Sequence, residues 1–150
     1  IKSVDGLFLD RQNLKQQLKT MLKVQNDLKE QNKNWLIFPE GTRNDDPLSL
    51  IKEFHPGTFR PAVKNEVPIV PIAIYGTQRV LTFLPQLKKY VVSVSILDPI
   101  YPSEYKDLTN EELANKCKDA IQKELSFSLR KRNTSLMAKF NKKKFDYYHR

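Results

Sequence analysis

Two short apolar runs separated by one amphipathic stretch constrain this chain more than anything else in it. Gly6 to Leu9 and Trp35 to Phe38 each read as a strand, the second wholly apolar and rich in aromatic and branched residues. Between them, over about Asn13 to Gln31, Leu14, Leu18, Met21, Leu22 and Leu28 fall on one face of a helix, with lysines and glutamines elsewhere. Strand, helix, strand is the pattern of a parallel pair joined by a right-handed crossover. Both strands then end on the same edge of the sheet. Asp10-Arg11 closes the first, and Pro39-Glu40-Gly41-Thr42-Arg43 follows the second. The spacing therefore predicts that Arg11 and Arg43 converge on one cleft.

The segment after Phe38 carries the chemistry. Pro39 cannot donate to a sheet ladder, so the strand stops there. Gly41 lets backbone amides approach a ligand closely. Thr42 adds a hydroxyl, and Arg43 a planar fork of donors suited to phosphate or carboxylate. Such a turn at a strand end is where α/β proteins build sites, and these residue types make it an anion site. The same residues also suit an ordinary turn with a surface ion pair between Arg43 and Glu40.

Farther along, Asn44 to Ser49 is polar, acidic and contains Pro47, and so reads as a loop. Phe54-His55-Pro56-Gly57-Thr58 is a tight turn into a short helix near Phe59 to Lys64, with Pro61 in its first turn. Val67 to Tyr75 is apolar, but Pro68 and Pro71 delay regular pairing until Ile72. Tyr90 to Leu97 alternates as a strand with one wetter face. Thr109-Asn110-Glu111-Glu112 is a capping box opening a helix whose stripe is Leu113, Cys117, Ala120, Ile121 and Leu125. From Ser126 the pattern gives way to basic and aromatic residues. The expected organisation is a body at 1–128 and a tail at 129–150. The expected fold is α/β, a mixed, largely parallel sheet flanked by helices and incomplete at its N-terminus.

Charge narrows the partners without choosing one. Twenty-six Lys plus Arg against seventeen Asp plus Glu give a net charge of +9, which favours nucleic acid, an anionic membrane surface or phosphorylated small molecules. Much of the excess lies after Arg130. No apolar run approaches the roughly 20 residues of a membrane span, and no signal peptide is visible. A single cysteine, Cys117, rules out an internal disulfide and fits a reducing compartment; on its helix it reads as a small core hydrophobe. His55 and His149 are too few and too far apart for a metal site, and no metal is expected. The chain opens on Ile1 without a methionine, which suggests a fragment.

Three blocks in order carry a resemblance. Phe8-Leu9-Asp10-Arg11, Phe38-Pro39-Glu40-Gly41-Thr42-Arg43 and Val67-Pro68-Ile69-Val70-Pro71-Ile72, with Gly57 and Ala62 between the last two, resemble the later blocks of the lysophosphatidate acyltransferase family. The similarity spans about residues 6 to 100, and the middle block matches at every position. It implies acyl transfer from acyl-coenzyme A or acyl-carrier protein to the 2-hydroxyl of 1-acylglycerol 3-phosphate, giving phosphatidate, with no cofactor. Arg11 and Arg43 would grip the acceptor phosphate, and Gly41 and Thr42 would shape the turn that holds it. Glu40 would orient Arg43 or bond a substrate hydroxyl. Pro68 and Pro71 would support the acyl channel, or only set the shape of a strand. Two guanidinium groups neutralise a dianion, and fixing a non-reacting phosphate holds the reacting hydroxyl near its base.

The departures are equally specific. The family's first block, His-x4-Asp, supplies the general base and is absent from this chain, so it is expected upstream of Ile1. By itself the chain would hold the substrate grip without the catalyst. Asp5 stands where a glycine is expected before the second block. His55 replaces a lysine common before the Pro-Gly turn, either as a weaker, pH-dependent phosphate contact or as a merely exposed turn histidine. Sibling reactions on glycerol 3-phosphate, or between phospholipids, use similar blocks. A different class of reading is a non-catalytic basic domain. Its tail, with Phe140, Phe145, Tyr147 and Tyr148 among lysines, would lie on anionic lipid at the cytoplasmic membrane face, or be solvated and partly disordered. Nucleic acid is the weaker partner, because the body has no recognition motif. Acyl specificity and oligomeric state are left open.

Overall fold

The computed structural model describes residues 6–7, 13–30, 33–44, 49–77 and 91–148, with side chains as far as Arg130. Helix α1 runs Leu14–Glu30. Its start is capped by Asn13, whose Oδ1 accepts from the Gln16 amide at 3.0 Å. A 3-10 turn at Pro56–Phe59 leads directly into a short helix α2, Arg60–Lys64, with Pro61 near its start as the sequence requires. Strands β1, Ile72–Tyr75, and β2, Ser93–Ile96, follow. A one-turn helix α3, Pro102–Tyr105, precedes the long helix α4, Asn110–Tyr148.

The sheet differs from the expected one. β1 and β2 pair antiparallel, Ile72 opposite Ile96 and Ala73 opposite Ser95, and they are the only ladder among the described residues. A single bridge, Ile69 with Ile100, extends it. Neither Gly6–Leu7 nor Trp35–Phe38 is a strand, and the remainder of the first expected strand lies outside the described residues. The physical reason is that apolarity only marks a segment suited to burial. A strand exists where a neighbour supplies the ladder, and none does so among the described residues. Leu36 and Phe38 are accordingly 63% and 67% exposed, and the buried Trp35 Nε1 has no hydrogen-bond partner among the described residues.

The core forms around the start of α4. Leu113, Ala114 and Cys117 are buried with Phe54, Phe59, Ile100 and Tyr105. The Phe54 and Phe59 rings stack with centroids 6.4 Å apart. Tyr105 is buried to its ring, and its hydroxyl donates to the Val67 carbonyl at 2.8 Å, tying α3 to the chain that leads into β1. α4 also crosses the sheet, where Ser95 Oγ donates to Glu124 Oε1 at 2.8 Å. The sheet therefore offers α4 its small face, Ala73 and Ser95, while Val94 and Ile96 are 60% and 74% exposed. The alternation read in this strand is present, but its wetter face is the apolar one. α4 passes through position 128 without interruption.

α1 sits differently. It packs on α2, and Asn65 Nδ2 bridges the two by donating to the Gln25 carbonyl at 3.0 Å and the Pro61 carbonyl at 2.8 Å. Val24 and Asp27 are its buried residues, whereas Leu14, Leu18 and Leu22 stand 70%, 51% and 55% exposed.

Candidate functional site

The turn after Phe38 is built as its residue types require. The Gly41 amide donates to the Phe38 carbonyl at 3.1 Å, closing a β-turn with Pro39 at its second position. Gly41 has φ +60, a conformation that glycine adopts without strain. A side chain there would also meet His55, because a Cβ would lie 3.0 Å from Cδ2 and 3.2 Å from Nε2 of its ring. The His55 ring is therefore laid against the turn. Its own amide donates to the Pro39 carbonyl at 2.9 Å, which locks the Pro56 turn onto the Gly41 turn.

Glu40 is occupied in a way the sequence did not suggest. Its Oε2 accepts from the Lys52 amide at 2.8 Å, and Lys52 Nζ donates to the Arg43 carbonyl at 2.9 Å. Glu40 thus acts on Arg43 through Lys52 and through the backbone; the resemblance had it orienting Arg43 or bonding a substrate hydroxyl. Lys52 is the residue that sequence reasoning missed. It lies nine residues beyond Arg43, past a stretch that reads as plain loop, and no spacing rule links it to the turn. The intervening loop is pinned at its ends, Asn44 Nδ2 donating to the Ser49 carbonyl at 2.9 Å and Ser49 Oγ to the Ile51 carbonyl at 3.0 Å.

What this framework presents is polar and open. Thr42 and Arg43 are exposed, and the Arg43 guanidinium has no ion pair among the described residues. Gly41, Thr42, Arg43, His55 and Lys52 therefore sit together at one surface, with Glu40 consumed in holding them. Chemically these groups have the character an anion requires, an arginine fork beside a turn that a ligand can approach closely. Arg11, the other half of the expected grip, lies outside the described residues. Pro71 and Pro68 are elsewhere in role: Pro71 is buried and its carbonyl accepts from the Leu97 amide at 3.0 Å at the head of the β ladder, while Pro68 is exposed.

Cys117 is buried in the core, and burial pushes its thiol up to about 11, far from a reactive thiolate at neutral pH. Among the described residues no His, Cys, Asp and Glu cluster could hold a metal ion, and no helix is long and apolar enough to cross a membrane. An open groove of about 420 Å³ lies away from the turn, between α1 and α2, lined by Leu18, Met21, Leu22, Val63, Arg60 and Lys64 among others.

Comparison with known proteins bears directly on the turn. A family model described as "Acyltransferase" matches residues 1–75, which include Gly41 and Arg43. The 1-acyl-sn-glycerol-3-phosphate acyltransferase of Haemophilus influenzae is 32% identical over 121 residues, covering 81% of this chain and 49% of the relative. Its Escherichia coli counterpart is 31% identical, covering 81% and 48%. The chain thus spans about half the length of the curated relatives it matches. In fold it resembles the crystal structure of the 1-acyl-sn-glycerophosphate (LPA) acyltransferase PlsC from Thermotoga maritima. The TM-score is 0.57 at 24% identity, over 73% of this chain and 44% of that one.

Proposed function

We propose that this chain, which belongs to the acyltransferase family, carries the acceptor-binding part of an enzyme that acylates the 2-hydroxyl of 1-acylglycerol 3-phosphate to give phosphatidate. The observation that carries the reading is the Gly41 turn with its exposed Arg43, held by Glu40, Lys52 and His55 without engaging the guanidinium. Support comes also from relatives whose names specify that acceptor.

In this reading Arg43, with Arg11, takes the acceptor phosphate, and the approach of a phosphate oxygen is eased by the bare Cα of Gly41. Thr42 offers a hydroxyl beside it, and the His55 ring closes one side. The acyl group comes from the thioester of acyl-coenzyme A or acyl-carrier protein. The acceptor's 2-hydroxyl attacks the thioester carbonyl, its proton passes to a base, and the thiol leaves. The family's His-x4-Asp base does not occur in these residues, so the base is supplied from outside them. The contribution of this chain is positional: gripping the phosphate end fixes the distance from that end to the reacting hydroxyl. The acceptor and product are membrane lipids, so the reaction is placed at the cytoplasmic face of a membrane, with the basic tail 129–150 beside anionic headgroups.

Arg43→Ala in the full-length protein tests the core of this. Losing a charge-assisted contact to phosphate should lower kcat/KM for the acceptor by roughly ten- to a hundredfold, with the KM for the thioester donor little changed. An unaltered rate at subsaturating acceptor removes the assigned role. Running the same assay with glycerol 3-phosphate as acceptor separates the two sibling reactions.

A further inference from the structure

Leu14, Leu18 and Leu22 recur every fourth residue along α1 and stay more than half exposed, so one row of the helix is apolar and bare. The residue after each is a lysine: Lys15, Lys19 and Lys23, all exposed, form a parallel row along one side of the leucines. On the other side α2 brings Arg60 and Lys64, both exposed and both lining the groove that Leu18, Met21 and Leu22 share with Val63. An apolar strip thus runs between two lines of cations. From Leu14 to Asn26 there is no Asp or Glu to offset them, and the Asp27 that follows is buried.

We infer that this face of α1 and α2 is a membrane-docking surface that seats on an anionic phospholipid bilayer. Leucines of an interfacial helix lie at the boundary of headgroups and acyl chains, while flanking lysines and arginines reach up to the phosphates. The placement of cations on both sides of the strip is what selects this occupant. A second protein surface would have to present apolar groups between two acidic rows, whereas anionic headgroups over hydrocarbon present that arrangement everywhere. The inference does not depend on acyl transfer: a lipid surface is recognised by these residues whatever reaction the Arg43 turn serves.

The test uses the full-length protein with Leu18→Cys carrying an environment-sensitive fluorophore, in a background without other reactive cysteines, and vesicles bearing nitroxide-labelled lipid as quencher. Vesicles of phosphatidylcholine with phosphatidylglycerol should quench the probe strongly, and vesicles of phosphatidylcholine alone only weakly. Added salt should reduce the quenching. Lys15→Gln, Lys19→Gln and Lys23→Gln together should weaken the anionic-vesicle interaction at this site roughly tenfold or more. A Leu14→Glu, Leu22→Glu pair should weaken it comparably while leaving the melting temperature in the absence of lipid unchanged.

Absent quenching overturns the inference, as does equal quenching by neutral vesicles. So does a fall in lipid-free melting temperature with the glutamate pair, which would mean that the leucines are covered within the polypeptide. Concentration-dependent dimers that the glutamate pair dissolves would assign the face to a second copy instead. Arg43→Ala leaves this readout alone, so failure here and failure of the acceptor assignment are told apart.

Discussion

The two longer helices of this molecule carry the same kind of sequence pattern and end in opposite circumstances. α4 buries its stripe: Leu113 is fully enclosed, Cys117 and Leu125 nearly so, against the Phe54–Phe59 pair and the small face of the sheet. α1 has leucines at the same spacing, and it leaves Leu14, Leu18 and Leu22 in the open while burying Val24 and Asp27. Periodicity states that a helix has an apolar side. It does not state what covers that side, which depends on elements distant in sequence. α4 meets a sheet, an aromatic pair and α3; among the described elements, α1 packs chiefly on α2.

The sharpest way to break that contrast is to truncate one leucine on each helix. Leu113→Ala should cost about 2–5 kcal/mol in chemical denaturation, since an enclosed site cannot collapse freely around the lost methyls. Leu18→Ala should change stability by no more than about 0.5 kcal/mol. Similar values for the two would mean that the α1 row is covered after all. A smaller effect is expected at Asn65, whose side-chain amide ties the Gln25 carbonyl of α1 to the Pro61 carbonyl of α2. Asn65→Ala should cost about 1 kcal/mol, with hydrogen-exchange protection falling in α1 and holding in α4. If protection fell equally in both helices, α1 would be an integral part of the α4 core and not a helix held by a few polar ties.

Much of this was legible in the residues, and what was not has definite causes. The prolines at 68 and 71 correctly delayed regular pairing to Ile72, because a residue without an N–H cannot serve a ladder. The tight turn at Gly41 and the capping box at Thr109 followed from local chemistry alone. The direction of the sheet did not, because Trp35–Phe38 has the apolarity of a central strand but, among the described residues, no neighbour to make it one. Nor did the orientation of β2. Period two separates Ser95 from Val94 and Ile96, but which side meets α4 is decided by how closely the helix can approach, and Ala73 with Ser95 allows the closer approach. At the site, Glu40 was visible as a polar group beside Arg43. Its use in holding Lys52 was not, since that contact spans twelve residues of chain.

The helix starts carry the contrast into pH. α1 is capped by the neutral amide of Asn13 and has no acidic residue in its first turn, whereas α4 is capped reciprocally by Thr109 and Glu112. The Glu112 carboxylate accepts from the Thr109 amide at 2.7 Å and from its hydroxyl at 2.8 Å. These bonds, the backbone one foremost, hold the Glu112 carboxyl below its ordinary value. A carboxyl whose value is depressed by folding stabilises the fold fully above its unfolded value, and that contribution disappears as pH falls through the folded one. Acidification should therefore loosen the first turn of α4 selectively, seen as lost hydrogen-exchange protection of amides near Leu113, while the first turn of α1 is unaffected by the same step. Glu112→Gln should flatten the α4 response, because glutamine keeps an acceptor for the Thr109 amide and does not titrate. A first turn of α4 as insensitive to acid as that of α1, in the unsubstituted protein, would show that the depressed Glu112 value reflects solvent-exposed geometry with no bearing on how the helix is held.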